Sequence, residues 1–252
     1  MRIIMGIEYD GTAYNGWQKQ NVGIGIQTIV ETAISKVANH EIRTICAGRT
    51  DAGVHAKAQI IHFDTMIDRS NHGWLAGTNS NLPDDINITW VKSVDEEFHA
   101  RFSAVNRTYY YQILNQDIRS SLARDRAWWV YEPLDLSKMQ TGTEVLIGKH
   151  DFTSFRAVSC QAANPIREIT EIRIEQSDKL FSITISANAF LQRMVRNIVG
   201  ALVLLGKKEK DALWLQNVLD GRDRALAGIA APAHGLTLLA VKYPDEYNLT
   251  TD

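Results

Sequence analysis

The sequence predicts an α+β fold made of two successive halves, and three features of the chain indicate it. Short stretches of alternating apolar and polar residues are typical of half-buried strands, and they occur between segments with the spacing of amphipathic helices. In residues 1–103 the order of elements is close to β, α, β, β, α, β, the split βαβ pattern with helices on one face of an antiparallel sheet. Residues 104–252 show a similar order without internal sequence identity, so the predicted domains are residues 1–103 and 104–252.

The first half is predicted to contain two helices among its strands. The first helix follows from apolar residues at helical spacing, namely Ile26, Ile29, Val30, Ala33, Ile34 and Val37. The second is short and stops before Pro83, because proline cannot continue a helix. In chain order the predicted elements are strand 2–9, helix 26–37, strands near 43–48 and 57–64, helix 74–79 and strand 86–94.

The second half is predicted to begin with strand 107–114, because this stretch is rich in the aromatic and β-branched residues that favour strands. A long helix capped by Asn188 is expected to run to Leu205. The other predicted elements are helix 135–147, strands 167–175 and 179–187 around the turn 176–178, helix 208–219, loop 221–234 and strand 236–241.

The composition is that of a folded globular protein. The chain has 252 residues, of which 45% are hydrophobic, and can bury a sizeable core. Cys46 and Cys160 form no CxxC motif and no cluster with histidines, so neither a disulfide framework nor a metal site is expected. Because no signal peptide and no membrane-spanning run is recognised, a cytoplasmic location is expected.

The charge balance bears on the kind of partner. The chain has 27 Lys and Arg against 29 Asp and Glu, a net charge of −2, whereas nucleic-acid-binding proteins usually carry a basic excess. A nucleic-acid partner therefore requires a local basic patch, although arginines scattered over a solvated surface are the commoner pattern. The candidate arginines are Arg101, Arg107, Arg119, Arg124, Arg126, Arg193 and Arg196.

Residues 47–56, Ala-Gly-Arg-Thr-Asp-Ala-Gly-Val-His-Ala, are the most informative motif and are called the signature loop below. Its two glycines can adopt positive φ without steric cost, so one short loop can present Arg49, Asp51 and His55. Apolar and alternating runs on either side predict that the loop joins two strands. A Thr-Asp-Ala-Gly stretch is also an ordinary turn, so turn chemistry alone leaves a catalytic and a purely structural role open.

The predicted long helix has an apolar stripe and an opposite polar face. Gly200 lies on the polar face at a cost of about 1 kcal/mol relative to alanine, which indicates that something approaches that face closely. Arg196 on the same face could reach a partner carboxylate and keep it ionised. The alternative is a solvated polar face. The polar face consists of Gln192, Arg193, Arg196, Asn197 and Gly200.

The cluster of three tyrosines lies in the first predicted strand of the second half. Tyr109 and Tyr111 share one face of that strand and could each offer a ring for base stacking and a hydroxyl for proton transfer, whereas sheet packing is expected for Tyr110. The other prominent aromatic residues show no such spacing and are expected to lie mostly in the core, namely Trp17, Phe98, Phe102, Trp128, Trp129, Phe152 and Phe155.

The signature loop resembles that of the tRNA pseudouridine synthase A family, and three further blocks resemble that family in the same order along nearly the whole chain. The first block is Tyr-Asp-Gly-Thr at 9–12 with Gly-Trp-Gln at 16–18. The second is Phe-Ser-Ala at 102–104 with Arg107 and Tyr109, and the third is Asn-Ala-Phe at 188–190 with Met-Val-Arg-Asn-Ile-Val-Gly at 194–200.

The resemblance implies an enzyme that isomerises uridine to pseudouridine at nucleotides 38, 39 and 40 of the anticodon stem-loop of tRNA. It also implies two ferredoxin-like halves that share a central antiparallel sheet, with helices on one face and the active-site cleft between the halves. A homodimer without cofactor or metal is implied, and no membrane partner.

The same resemblance assigns roles to individual residues. Asp51 is implied as the catalytic nucleophile and Arg196 as its ion-pair partner, and Arg49 is grouped with them. Tyr109 is implied to lie against the target uracil, and the substrate-binding group also includes His55 and Arg107.

The chemistry is consistent with these roles and leaves two routes open. A carboxylate can attack the anomeric carbon, or its field can favour loss of uracil while a tyrosine assists removal of a proton from the sugar. Either route needs an extruded nucleotide and a pocket that retains the freed base. The alternatives from other classes are a non-catalytic protein that binds an RNA stem-loop and a nucleoside hydrolase that uses Asp51.

Overall fold

The computed structural model describes residues 1–20 and 23–249 and divides the chain into two compact units. The first unit consists of Met1–Asn106 with Leu238–Asp252, and the second of Arg107–Thr237. Each unit combines several strands of sheet with α-helices, so the described part of the chain has a mixed α/β architecture. Among its helices, none has the length and apolar character that crossing a bilayer requires.

The elements are numbered in chain order. The strands are β1 (Arg2–Tyr9), β2 (Ile45–Cys46), β3 (His55–Asp64), β4 (Ile86–Val94), β5 (Asn106–Asn115), β6 (Trp128–Val130), β7 (Gly148–Asp151), β8 (Ile166–Ser177), β9 (Leu180–Ala187) and β10 (Leu236–Lys242). The α-helices are α1 (Ile26–Ala38), α2 (Asn71–Asn79), α3 (Leu136–Leu146), α4 (Met194–Gly206) and α5 (Ala212–Gly221).

In the first unit β1 lies between β3 and β4 and pairs with both in antiparallel register. Its residues Ile3, Ile4 and Met5 are fully buried in succession, because a strand in the middle of a covered sheet buries both faces. β2 pairs with β3, and β10 adjoins β3 on the side away from β1. The helices α1 and α2 contact each other, and α2 packs on β4. The predicted strands and helices of residues 1–103 are confirmed in type and order.

In the second unit β9 pairs antiparallel with β5 and β8, and β8 pairs antiparallel with β7. The side chains of β5 alternate between buried and half-buried, as expected for a strand with one covered face. The helix α3 contacts α4, α5 and β8. β6 and β7 were not predicted, because they have only three and four residues, too few to show a periodicity.

The predicted cap of the long helix is wrong. α4 begins at Met194, six residues after Asn188, and the residue before it, Arg193, has a φ of 61°. Asn188 instead exchanges two hydrogen bonds with Glu168, each of 3.1 Å, and so prolongs the pairing of β8 with β9. The predicted helix 208–219 is displaced to α5, because Lys208 has a φ of 62° and the Asp211 side chain caps Trp214 N–H at 2.8 Å.

His62 lies on β3 and binds the turn that contains Ala100. The residue is 3% exposed, and its Nδ1 accepts a hydrogen bond of 3.1 Å from Ala100 N–H. Its ring centroid lies 4.9 Å from that of His99. Burial, with Arg2 and His99 nearby, lowers the pKa of His62 to about 4 although Asp64 acts in the opposite direction. The folded protein therefore favours the neutral imidazole.

We expect acid to destabilise the protein through His62. The folded state keeps the imidazole neutral down to a pKa of about 4, whereas the unfolded chain takes up the proton near its ordinary value of 6.5. The stability that depends on neutral His62 is therefore fully present above the pKa of the unfolded chain and is lost as the pH falls toward the pKa of the folded protein. The loss in the free energy of unfolding amounts to about 2 kcal/mol at about pH 5. Urea unfolding at about pH 7 and about pH 5 measures the difference for wild type and for His62→Asn, whose amide oxygen can still accept from Ala100.

The variant should lose about 2 kcal/mol less than wild type over this interval. His72→Asn, at an exposed position of α2, is the matched control and should keep the wild-type pH dependence. Equal pH dependence in wild type and His62→Asn would contradict the assignment.

Candidate functional site

The signature loop joins β2 to β3, as predicted, and its first residues are fixed to the sheet. Ala47 N–H donates to the carbonyl of Ile60 at 2.8 Å, which continues the strand pairing by one residue. The Gln59 side chain then donates to the carbonyl of Gly48 at 2.6 Å and accepts from its N–H at 3.3 Å. The loop therefore leaves the sheet from an anchored position.

The segment 10–17 packs main chain against main chain on the signature loop. Trp17 N–H donates to the carbonyl of Thr50 at 3.0 Å, and Gly53 N–H donates to the carbonyl of Tyr14 at 3.3 Å. A Cβ atom at Gly11 would lie 2.0 Å from the carbonyl oxygen of Val54. Because backbone atoms cannot move aside without a large cost in free energy, no side chain fits at Gly11, and the segment 10–17 and the signature loop stay in close contact.

The residues on either side of Asp51 hold its position in the loop. Thr50 is buried and its Oγ1 lies 2.7 Å from the hydroxyl of Tyr9 on β1. Val54 N–H donates to the carbonyl of Asp51 at 3.1 Å and closes a turn in which Gly53 has a φ of 77°. Asp51 itself is half-buried, while Arg49 is exposed. A carboxylate is thus presented at the protein surface by a backbone that is fixed on both sides.

His55 follows this turn as the first residue of β3 and is only 2% exposed. Its Nδ1 lies 3.1 Å from Gly11 N–H and 3.1 Å from Oδ1 of Asp10. An Nδ1 without a proton accepts from Gly11, whereas an Nδ1 that carries a proton donates to Asp10. In either state His55 ties the segment 10–17 to the signature loop.

Arg107 and Tyr109 lie on β5 in the second unit, and both are 8% exposed. Arg107 donates from Nη1 to the carbonyl of Asn188 at 2.8 Å. The ring of Tyr109 meets that of Phe190 edge to face, with centroids 5.1 Å apart. The segment after β9 therefore orients both side chains.

The polar face of α4 carries Arg196 and Gly200, and the close approach predicted there is confirmed. Arg196 donates from Nε to the carbonyl of Ala231 at 2.7 Å, and its own carbonyl accepts from Ala231 N–H at 2.9 Å. A Cβ atom at Gly200 would lie 2.0 Å from the carbonyl oxygen of Ile229. The neighbour on this face is thus the chain's own segment 228–231, which orients the Arg196 guanidinium.

Two expectations for this face and its neighbours are wrong. Tyr111 is fully buried, and its hydroxyl donates to the carbonyl of Pro232 at 2.8 Å, so it offers neither a ring nor a hydroxyl to a substrate. Burial raises the pKa of this hydroxyl, against a weaker opposite effect of Arg196. Asn197, which was assigned to a polar face, is buried and donates to the carbonyl of Phe155 at 2.6 Å.

The predicted site residues are divided between the two units. Arg49, Asp51 and His55 belong to the first, and Arg107, Tyr109 and Arg196 belong to the second. Sequence reasoning missed the support from Gln59 and Tyr9, because a polar residue within a strand gives no signal of a contact with a distant loop. In residues 1–20 and 23–249 no group of three or more His, Cys, Asp or Glu side chains could hold a metal ion.

Comparison with known proteins identifies similar chains of nearly equal length. A family model described as tRNA pseudouridine synthase matches residues 5–103 and 143–244. A tRNA pseudouridine synthase A of Coxiella burnetii is 50% identical over 248 residues, which cover 98% of this chain and 95% of the relative. The protein of the same name from Pseudomonas aeruginosa is 46% identical over 249 residues, covering 98% of this chain and 87% of the relative.

We expect Gly200→Ala to lower the free energy of unfolding by about 1 to 3 kcal/mol, because the new Cβ would overlap with backbone of the segment 228–231. This loss outweighs the gain of about 1 kcal/mol in helix propensity. Gly73→Ala in α2 is the control, since the nearest atom there is a side-chain oxygen of Ser70 at 3.2 Å. Chemical denaturation measures both variants, and a Gly200→Ala protein as stable as wild type would contradict the close approach.

Proposed function

The chain belongs to the tRNA pseudouridine synthase family, and we propose that it converts uridine to pseudouridine at nucleotides 38, 39 and 40 of the tRNA anticodon stem-loop. Family membership confirms the predicted enzyme class, a tRNA pseudouridine synthase that acts as an isomerase. The particular nucleotides are proposed from the resemblance of the signature loop and the three ordered blocks.

The catalytic assignment rests on the contacts that fix the signature loop, which contains Asp51. The loop is anchored at Gly48, closed by a turn at Gly53 and interlocked with the segment 10–17. Such fixed geometry is what a reacting group needs, because errors of about 1 Å in position cost orders of magnitude in rate. We therefore assign Asp51 as the catalytic carboxylate.

The reaction moves the sugar from N1 to C5 of the same uracil. The bond between C1′ and N1 breaks, the base turns, a bond between C1′ and C5 forms, and C5 loses its proton while N1 gains one. In one route a carboxylate oxygen of Asp51 bonds to C1′ as uracil departs, and the returning base displaces it. In the other, a base removes a proton from the sugar as uracil departs, the ionised carboxylate favours this loss, and the proton returns to the sugar when C5 bonds to C1′. Both routes need Asp51 in its ionised form.

The arginines are proposed to serve that ionised form. We assign Arg196 as the ion-pair partner of Asp51, since an opposite charge favours the carboxylate over the acid. Its Nε bond to Ala231 supports this assignment by limiting the orientations of the guanidinium. Arg49, an exposed neighbour of Asp51 in the chain, is grouped with the catalytic residues.

The substrate-binding residues are proposed to hold an extruded nucleotide. Tyr109 is proposed to lie against the uracil, and its edge-to-face contact with Phe190 supports this role by fixing the ring. Arg107 is proposed to assist from the same strand, and His55 by holding the segment 10–17 on the signature loop. Extrusion is required because a base inside a helical stack cannot reach a carboxylate of the protein.

The finer architecture and assembly are also part of the proposal. We propose two ferredoxin-like halves, residues 1–103 and 104–252, that share an antiparallel sheet with helices on one face and an active-site cleft between the halves. The antiparallel pairing of β3, β1 and β4 in one unit and of β5, β9 and β8 in the other supports this description. A cytoplasmic homodimer that needs no cofactor completes the proposal.

We expect Asp51→Asn to abolish pseudouridine formation, with a loss of at least about a thousandfold, while tRNA affinity changes by less than about threefold. The amide keeps the shape of the side chain but cannot act as a nucleophile or stabilise a positive sugar. Chromatography of nucleosides from digested tRNA measures the product. Asp84→Asn, at an exposed position of the first unit, is the control and should leave the rate unchanged.

The same measurement separates the alternative functions. A non-catalytic RNA-binding protein would yield no pseudouridine and would bind more tightly after Asp51→Asn, since a carboxylate repels phosphates. A nucleoside hydrolase would release free uracil. If the wild-type protein forms no pseudouridine, or releases free uracil, the isomerase assignment is refuted.

If the Tyr109 hydroxyl transfers a proton, we expect Tyr109→Phe to reduce the single-turnover rate by about a hundredfold with little loss of tRNA affinity, because the ring is kept and the hydroxyl is lost. Tyr110→Phe is the matched control, since that hydroxyl lies 2.7 Å from Ser182 Oγ on the opposite side of β5. Equal rates for wild type and Tyr109→Phe would limit Tyr109 to stacking.

A further inference from the structure

Phe102 is an exposed aromatic residue held in a fixed position. The residue is 76% exposed, contrary to the core position predicted for it. The N–H groups of Arg101 and Phe102 both donate to Nδ1 of His99, at 3.2 and 3.1 Å, and the His99 ring stacks on Phe102 with centroids 4.3 Å apart. The Arg101 guanidinium carbon lies 5.6 Å from the centroid of the Phe102 ring. The turn therefore displays a rigid ring with a cation beside it.

This turn lies next to the strands that carry the signature loop. Ala100 N–H is bound by His62 of β3, and His62 is paired in register with Ile45 of β2. Cys46 is the last residue before the loop, and burial raises the pKa of its thiol to about 12. Arg49 and Arg101 both act against this increase, so both guanidinium groups are close enough to influence the same sulfur. Through the bond of Ala100 to His62 and the pairing of His62 with Ile45, the turn that carries Arg101 and Phe102 lies beside the strands at the base of the signature loop.

We propose that Phe102 and Arg101 form a stacking platform for an unpaired nucleobase of the bound tRNA. Phe102 supplies the ring and Arg101 contacts the adjoining phosphate. This inference rests on the proposed function, because it takes tRNA as the partner. It names a contact additional to Tyr109, which is proposed to hold the reacting uracil.

The chemistry of the two side chains favours a nucleic acid as occupant. Every base has a π face, so an aromatic platform accepts any base, and a neighbouring arginine adds attraction for phosphate. Such tolerance suits an enzyme proposed to act at three adjacent nucleotides, where the base beside the target differs from one reaction to the next. A preformed ring also loses little conformational entropy on binding. A protein surface would be expected to cover the ring without requiring the cation.

The test compares tRNA affinity at several salt concentrations. Phe102→Leu should weaken binding about tenfold and leave the slope of log affinity against log salt unchanged, because stacking releases no counterions. Phe102→Trp should bind at least as tightly as wild type. Arg101→Met should weaken binding and reduce the slope by about one, the signature of one lost phosphate contact. Met66→Ala, a 92% exposed apolar residue of the same unit, is the matched control and should bind like wild type.

The outcomes separate this inference from the proposed function. A wild-type protein that forms no pseudouridine refutes the proposed function, whereas an active wild type with Phe102→Leu binding tRNA as tightly refutes only the platform. The platform is also refuted if Phe102→Leu changes the oligomeric state in sedimentation and leaves tRNA affinity intact, since Phe102 would then contact a second copy. If Phe102→Leu proves unfolded by thermal denaturation, the slope for Arg101→Met decides, and an unchanged slope refutes the platform.

Discussion

The close contact of main chain with main chain between the segment 10–17 and the signature loop is the constraint on which the first unit's candidate site depends. Gly11 lies against the carbonyl of Val54, and Gly16, with a φ of 89°, lies against that of Thr50. These contacts surround Asp51 on both sides in the chain. Because backbone obstacles cannot rotate aside as side chains can, these contacts determine the position of the loop.

The second unit uses the same device on a helix. Gly200 admits the carbonyl of Ile229, and the segment 228–231 then exchanges two hydrogen bonds with Arg196. In both units a missing side chain lets backbone come close enough to orient a charged residue. The glycine lowers the helix propensity of α4, and this contact offsets that cost.

Much of the fold could be predicted from sequence because periodicity reports which face of an element is covered. The strands and helices of the first half were found by this signal, and ordered motifs identified the family, which is confirmed. Tyr111 was misjudged because periodicity gives a face but not the depth of burial on it. Phe102 and Trp129 are exposed, contrary to expectation, because no spacing pattern supported their placement in the core. The cap at Asn188 was wrong because a side chain that prolongs strand pairing has the same sequence signature as one that begins a helix. The roles of the six predicted site residues stay predictions.

The double hydrogen bond of Gln59 to Gly48 has a chemical consequence. A carboxamide offers a donor and an acceptor in one plane, as a peptide group does, so this side chain imitates a strand partner at the point where the main chains separate. Glutamate could only accept and lysine could only donate. Among side chains of this length, glutamine alone can continue the ladder here. The point at which the loop leaves the sheet is therefore determined by a side chain that pairs as a backbone would.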